Sequence, residues 1–225
     1  PWWVYILNGA WWTIGLTIAA FALALLIGII VGTLRTVPNK FVRGLCEAWI
    51  ELFRNIPLIV QIFIWYFVVP ELVPWYKDWL IEVDPAVGQF VTAFICMGLF
   101  TSSRIAEQVR AGISSLPRGL PNSAKALGFT TVQAYVQVVL PMAMRLIVPP
   151  LTSESMNLVK NTAVAMTIGL PELTMRANEM GENTFTFFAA YLWATILYII
   201  IALVVNQLMA WVEKKSFIPG FIAAK

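Results

Sequence analysis

Three long stretches of this chain contain no charged side chain: Pro1 to Leu34, Pro85 to Ser103 and Asn183 to Val212. Each reaches roughly the 20 residues that a helix needs to cross the hydrocarbon core of a bilayer. Hydrophobic residues make up 60% of the 225 residues and charged residues 12%, against about 25% charged in an ordinary soluble domain. Lipid can cover that much apolar surface, whereas a single soluble core cannot. The sequence therefore predicts an all-α membrane protein that crosses the bilayer several times.

The charged residues form blocks between the apolar stretches, and the sign of these blocks alternates along the chain. Because cytoplasmic loops are enriched in lysine and arginine, the basic blocks are predicted to lie in the cytoplasm. This predicts five transmembrane helices near 12–34, 55–72, 86–110, 138–158 and 185–211, with the N-terminus outside, the C-terminus inside and a cytoplasmic tail over 212–225. We expect the first stretch to be a span and not a signal peptide, because it lacks a basic leader. The basic blocks are Arg35, Lys40 and Arg43, then Arg104, Glu107, Arg110, Arg118 and Lys125, and finally Glu213, Lys214, Lys215 and Lys225.

The fourth predicted span is irregular. Pro141, Pro149 and Pro150 each remove a backbone donor and are predicted to interrupt the helix. Arg145 and Glu154 lie in the same segment, and charge at membrane depth is tolerated where it is buried in protein or lines a watery cavity. The alternative, that both side chains reach opposite membrane surfaces, is equally compatible with the sequence. The segment 161–171 is too short to cross and is predicted to pack against the bundle, either on its outer side or partly inserted in the membrane.

The loop between the third and fourth spans, 117–137, predicts a compact cytoplasmic projection. Pro121 suits the first position of a helix, and Gly128 suits the residue just past a helix end. Thr130 followed by Gln133 matches a capping box, so a second helix is predicted to begin there. A short helix, a glycine break and a second helix entering the membrane form an element suited to dock in a groove of another protein.

The spacing within this loop resembles the EAA loop of permease subunits in ATP-binding-cassette (ABC) importers. The family pattern is Glu-Ala-Ala, three residues, Gly, nine residues, an aliphatic residue, any residue and Leu-Pro. Asn122 and Ser123 stand in place of the glutamate and the first alanine, while the later positions, including Val138, keep the register. The resemblance implies that this loop docks on the nucleotide-binding subunit. The implied coupling residues are Asn122, Ser123, Ala124, Lys125, Gly128, Leu140 and Pro141.

Longer segments are similar to the glutamate/aspartate import permeases, and the resemblance covers nearly the whole chain. It implies the type I ABC-importer permease (MetI-like) fold in a bacterial inner membrane. It also implies a second permease subunit, with a paralogue favoured over an identical copy, a dimer of cytoplasmic ATPase subunits that holds ATP and Mg, and a periplasmic or extracellular amino-acid-binding protein. The exact amino acid stays open, because related permeases carry neutral or other polar amino acids. The segments similar to the glutamate/aspartate import permeases are 34–39, 98–101, 107–111, 149–154, 157–161 and 167–170, and the segment 51–61 resembles polar amino-acid permeases more generally.

The chain lacks several motifs that would indicate other functions. It has no Gly-x-x-x-x-Gly-Lys-Ser/Thr phosphate loop, so it is not expected to bind ATP itself. It contains no histidine, the commonest general base, so neither catalysis nor a metal or other cofactor of its own is predicted. The net charge of +3 is scattered between apolar spans, which disfavours nucleic acid as a partner. An ion-coupled secondary transporter is the less favoured alternative, because the sequence lacks the inverted repeats of that class.

An acidic amino acid carries two carboxylates and one ammonium, so its path through the membrane needs cations. Arg145 is the first choice, because the guanidinium fork matches a carboxylate with two parallel hydrogen bonds. Glu154 and Asn157 are predicted to receive the ammonium group. Alternatively, Arg145 pairs with lipid phosphate or Glu107, and selection is left to the binding protein. The predicted pathway residues are Arg104, Arg145, Glu154, Asn157, Lys160 and Asn161.

Two local patterns allow alternatives. Gly28 and Gly32 lie four residues apart on the first span and predict either a close contact with another helix or a flexible segment without a partner. Arg54, Asn55 and Pro57 predict a kink at the start of the second span, which we favour over a role in substrate binding.

Overall fold

The computed structural model describes residues 2–117 and 119–216, and within these ranges every regular element is a helix. Arg118 and most of the predicted tail, 217–225, lie outside the described residues. The α-helices are α1 Trp2–Leu34, α2 Lys40–Asn55, α3 Leu58–Phe63, α4 Val69–Leu72, α5 Pro74–Glu82, α6 Pro85–Ser114, α7 Leu120–Ala126, α8 Thr131–Gln133, α9 Leu140–Asn161, α10 Leu173–Thr184 and α11 Phe187–Ser216. Two π-helical segments, Ile64–Val68 and Ala134–Val139, and a 3-10 helix, Thr162–Ile168, connect some of them.

Four helical segments are long and apolar enough to cross a membrane: Trp2–Leu34, Pro85–Ser114, Thr131–Ile168 and Phe187–Ser216. Helix α2 and the helical stretch Leu58–Leu72 meet at a bend of 99°. They form a fifth candidate span if this bent pair is taken as one. The structure therefore contains four to five candidate spans where the sequence predicted five. Helix α1 begins well before the predicted boundary near 12, and the fourth segment extends beyond 138–158 at both ends.

The predicted kink at the start of the second span is confirmed. Helix α2 ends at Asn55, and Ile56 and Pro57 are extended before α3 begins. The Gln61 side chain is buried in the angle and donates from Nε2 to the carbonyl oxygens of Phe53 and Ile56, both at 2.8 Å. These bonds satisfy carbonyls that the end of a helix leaves without a partner, so a single amide stabilises the bend.

Close packing of α1 on α6 confirms the contact predicted from the glycine spacing. A Cβ added at Gly28 would lie 2.7 Å from Cβ of Ile105, and one added at Gly32 would lie 2.5 Å from the carbonyl oxygen of Ala106. Real Cβ atoms do not approach that closely, so glycine at both positions allows the two helices to touch. Helix α6 is therefore held against α1 along the half that carries the charged residues.

The predicted interruptions at Pro149 and Pro150 are wrong, because α9 runs unbroken through both residues. Helix α9 packs against α6 and α11, and this packing offsets the lost backbone hydrogen bonds. The irregular backbone lies earlier, in the π-helical segment Ala134–Val139 that ends two residues before Pro141. A π-helical turn moves the backbone away from the position that the proline ring would otherwise crowd.

The predicted packing of 161–171 against the helix bundle agrees with the structure. Ala165, Ile168 and Leu170 are buried in one core cluster with residues of α1, α3 and α6. Helix α10 then begins at a fully buried N-cap, Glu172, which accepts hydrogen bonds from two backbone amides of α10 and from the hydroxyl of Tyr198. Burial raises the pKa of the Glu172 carboxyl, and these hydrogen bonds oppose that shift.

Candidate functional site

A polar cavity of about 300 Å³ lies where α6 and α9 face each other beside the end of α2. Its volume is at the lower end of the range of about 300–1,000 Å³ for ligand pockets. Charged and amide side chains dominate its lining, although the surrounding helices are mostly apolar. The lining residues are Arg54, Phe100, Arg104, Glu107, Gln108 and Glu154.

The cavity contains a two-pronged ion pair between α6 and α9. Arg104 Nε lies 2.9 Å from Oε2 of Glu154, and Arg104 Nη2 donates to Oε1 of the same carboxylate at 3.1 Å. Gln108 donates from Nε2 to Oε1 of Glu154 at 3.3 Å. The Glu154 side chain is 9% exposed and the Arg104 side chain is 41% exposed. The carboxylate is therefore enclosed, whereas its arginine partner remains open to the cavity.

Helix periodicity explains how the sequence places these groups. Phe100, Arg104 and Gln108 are spaced four apart, so they lie on one face of α6. Glu154 lies on the face of α9 that also buries Leu151 and Leu158. Because this face packs against α6, its single carboxylate has to meet a donor there, and Arg104 and Gln108 supply the donors.

The structure brings together two of the six predicted pathway residues, Arg104 and Glu154. Arg145 precedes Glu154 by roughly two and a half helical turns, so it lies on the opposite, exposed face of α9. Arg145 does not pair with Glu107 among the described residues. Glu107 instead pairs with Arg35 and Arg110. Among the remaining predicted residues, Lys160 is exposed, Asn157 and Asn161 are half-buried, and none lines the cavity.

Four residues of the cavity were missed as binding groups: Arg54, Phe100, Glu107 and Gln108. The spacing of four residues from Arg104 is the signal that could have indicated Gln108 and Phe100. Arg54 was assigned to the kink, and only the 99° bend between α2 and Leu58–Leu72 shows that this kink borders the cavity.

The predicted projection between the third and fourth spans has the expected local structure. Helix α7 spans Leu120–Ala126, one residue earlier than Pro121 suggested, and Gly128 follows it with a φ of 92°. Both halves of the capping box at Thr130 and Gln133 are present, and α8 begins at the next residue after Thr130. We call residues 120–133 the coupling projection.

Most of the predicted coupling residues lie on the surface of this projection. Asn122, Ser123, Lys125 and Gly128 are exposed, and Pro141 is exposed beyond it. Two of the predicted residues are less exposed: Ala124 lies on the buried side of α7, and Leu140 is half-buried. The same surface also exposes large apolar side chains, namely Leu127, Val132 and Val136. An exposed mixture of apolar and polar side chains is typical of a surface that contacts another protein.

Comparison with known proteins agrees with this architecture. Residues 24–217 match the family described as binding-protein-dependent transport system inner membrane component. The chain is 46% identical over 226 residues to the glutamate/aspartate import permease protein GltJ of Escherichia coli (strain K12), which covers 98% of this chain and 91% of that protein. It is 27% identical over 213 residues to the glutamate/aspartate import permease protein GltK of Escherichia coli O157:H7, covering 94% of this chain and 93% of that protein.

A solved structure described as an amino acid ABC transporter with histidines superimposes with a TM-score of 0.77 at 24% sequence identity, covering 94% of each chain. This likeness confirms the predicted MetI-like permease fold. The chain therefore belongs to the family of binding-protein-dependent transport system inner membrane components. It is a multi-pass inner-membrane permease subunit without catalytic activity of its own.

Proposed function

We propose that this permease imports acidic amino acids and that it passes the motion of a cytoplasmic ATPase to the translocation path. One observation carries the proposal: the coupling projection directly connects α6 to the segment that continues into α9, and these two helices hold the polar cavity. A partner that moves the projection also moves both walls of the cavity. Because the sequence has no phosphate loop of the usual kind, ATP and Mg bind to the partner.

A substitution at Gly128 tests the coupling. Gly128→Asp adds a charge to the docking surface and a side chain at a φ of 92°, so we expect it to abolish uptake while membrane insertion stays normal. Gly119→Asp is the matched control, because Gly119 has a φ of −76°, no atoms within 4 Å of an added Cβ, and an N-cap position that aspartate favours. Uptake, membrane level and co-purification of the ATPase are measured together. Normal uptake by a well-inserted Gly128→Asp protein would remove the projection from the mechanism.

The charge of the cavity supports an acidic substrate. Arg54 and Arg104 both line it, and Arg54 makes no ion pair within residues 2–117 and 119–216. The lining also carries two glutamates, Glu107 and Glu154. Arg35 and Arg110, which lie outside the lining, pair with Glu107, and Arg104 pairs with Glu154, so Arg54 is the cation available to the additional carboxylate of an acidic amino acid. The names of the relatives GltJ and GltK support the same substrate class.

The proposed assembly contains two permeases. GltJ and GltK are both glutamate/aspartate import permeases, and this chain resembles them at 46% and 27% identity. We therefore favour a paralogue over an identical copy as the second permease. A cytoplasmic ATPase dimer binds the coupling projections, and a periplasmic or extracellular amino-acid-binding protein delivers the substrate. Co-expression with one tagged permease, followed by analysis of the purified complex, distinguishes a mixed pair from a pair of copies.

We further propose five spans, with the N-terminus outside and the C-terminus inside. In this arrangement α5 lies outside, and the coupling projection and the end of α11 lie in the cytoplasm. After replacement of Cys46 and Cys96 by alanine, an impermeant thiol reagent should label Asp78→Cys in intact cells. It should label Lys215→Cys only after the membrane is opened. The reverse labelling pattern would place the coupling projection on the wrong side of the membrane for an ATPase.

A further inference from the structure

The side-chain oxygen of Gln108 has no hydrogen-bond donor among the described residues, although it is buried. The amide nitrogen of the same side chain donates to Glu154, which holds the amide in place, and Gln108 is one of the residues that line the cavity. Buried acceptors in native structures nearly always have a donor, so each exception calls for an explanation. Because Gln108 contacts Glu154 through the nitrogen of the same amide, the cavity has acceptors on two neighbouring side chains, the carboxylate of Glu154 and the amide oxygen of Gln108.

The Nε–Nη2 fork of Arg104 is occupied in this conformation. Arg104 uses these two nitrogens to bind both oxygens of Glu154, which is a two-pronged arrangement that arginine commonly makes with a carboxylate. A ligand carboxylate can take this fork only by displacing Glu154. Displacement alone is costly, because it leaves a carboxylate that is 9% exposed without a counter-charge.

We propose that an amino acid opens the Arg104–Glu154 pair by exchange, and that Gln108 is a ligand of its ammonium group. A substrate carboxylate takes the fork of Arg104, while the ammonium binds Glu154 and the free oxygen of Gln108. An ammonium group has three donors and no acceptor, so it matches two neighbouring acceptors. The inference rests on the proposed function, and it assigns a substrate contact to a residue outside the predicted pathway set.

The exchange makes the cavity selective for ligands that carry both charges. A zwitterion replaces each half of the ion pair that it breaks, so both protein charges stay paired. A dicarboxylate without an amino group takes Arg104 but leaves Glu154 unpaired. The additional carboxylate of an acidic amino acid then faces Arg54, the second arginine of the cavity.

Binding of two probes that differ only in the amino group tests the role of Gln108. The complex of this chain with its permease partner and ATPase is purified without the binding protein, and the affinities for aspartate and for succinate are measured by equilibrium binding. We expect Gln108→Leu to weaken aspartate binding at least about tenfold, which is the loss of one hydrogen bond to a charged group. Its effect on succinate should be less than about twofold, because succinate has no ammonium.

Gln207→Leu is the matched control, since it makes the same change at an exposed position of α11. We expect it to leave both affinities unchanged. Unaltered aspartate binding by Gln108→Leu, or equal losses for aspartate and succinate, would overturn the role of Gln108 as an ammonium ligand.

Exchanging the two charges tests whether the substrate opens the Arg104–Glu154 ion pair. The double variant Arg104→Glu, Glu154→Arg keeps an ion pair between α6 and α9 but reverses the positions of the two charges. We expect an assembled complex whose aspartate affinity falls at least about tenfold, because the ammonium site beside Gln108 now holds a cation. Wild-type affinity in this variant would make the pair a purely structural contact and overturn the exchange.

Uptake by the wild-type complex with its binding protein is measured in parallel. If it imports aspartate but binds none in the absence of the binding protein, this inference is wrong while the proposed function stands. Failure to import any acidic amino acid would instead overturn the proposed function.

Discussion

Glu107 and Glu154 both line the same cavity, yet their surroundings differ. Glu107 accepts hydrogen bonds from two arginines, Arg35, the residue that follows α1, and Arg110 of its own helix, the second at 3.1 Å. Glu154 has one arginine, Arg104, and one neutral amide. The Arg35 side chain is 19% exposed, whereas that of Arg104 is 41% exposed. A carboxylate held by two cations fixes helices to each other, while one held by a single open cation is available for exchange.

Removing the charge at Glu107 is expected to have the largest effect on stability. Glu107→Gln leaves two partly buried guanidinium groups without their carboxylate, and we expect a loss of about 2 kcal/mol in the free energy of unfolding. The inactivation temperature of the purified complex in detergent, compared between variant and wild type, measures this loss of stability. Glu47→Gln is the control, because Glu47 is 45% exposed and its contact with Arg35 is 3.6 Å, so its loss should stay below about 1 kcal/mol. Equal losses in the two variants would contradict the structural role of Glu107.

Glu154→Gln is expected to reduce transport more than stability, the reverse of the expectation for Glu107→Gln. Arg104 is open enough for water to solvate it, so we expect a stability loss of about 1 kcal/mol or less, below that of Glu107→Gln. Transport should nevertheless fall at least about tenfold, because the counter-charge for the ammonium is gone. The two measurements are made on the same preparation. A large stability loss with normal transport would mean that the two glutamates have the same role.

Arg110→Gln should give the smallest effect. Arg110 pairs with Glu107 three residues earlier on the same helix and is 40% exposed, and pairs of this kind contribute about 0.2–0.5 kcal/mol. Arg35 keeps Glu107 paired in this variant. We therefore expect a barely altered unfolding temperature and normal uptake. A loss as large as that of Glu107→Gln would show that Arg110, and not the contact between α1 and α6, holds the cluster together.

Local features were predictable from the sequence, whereas the cavity was only partly so. The capping box at Thr130 and the glycine turn at Gly128 depend on residues within one helical turn, and both are confirmed. The glycine contacts of α1 were also recognisable, although their partner helix was not. Arg145 was preferred for the match of its guanidinium fork to a carboxylate, in a segment that the prolines were expected to break. In the structure tertiary packing keeps that helix continuous, and its periodicity then directs Arg145 away from Glu154.

The spacing from Arg104 places Gln108 on the same helix face, but that this face and Arg54 border a cavity could not be predicted from the sequence. Which face of α6 meets α9, and where the end of α2 lies, depend on contacts between elements far apart in the sequence. A glutamine in a mostly apolar helix carries no sign of its partner. Only the assembled bundle shows that its oxygen lacks a donor.

The continuous helical segment Thr131–Ile168 has a mechanical consequence. Its 38 residues extend for roughly 55 Å at about 1.5 Å per residue, against roughly 30 Å for the hydrocarbon core of a bilayer. In the proposed topology it extends past the lipid into the cytoplasm, with the capping box at its end and Glu154 further along its length. A sideways force on that end would then act on the position of Glu154 as through a lever. The π-helical segment Ala134–Val139, which lies between these two points, is where such a lever would yield first.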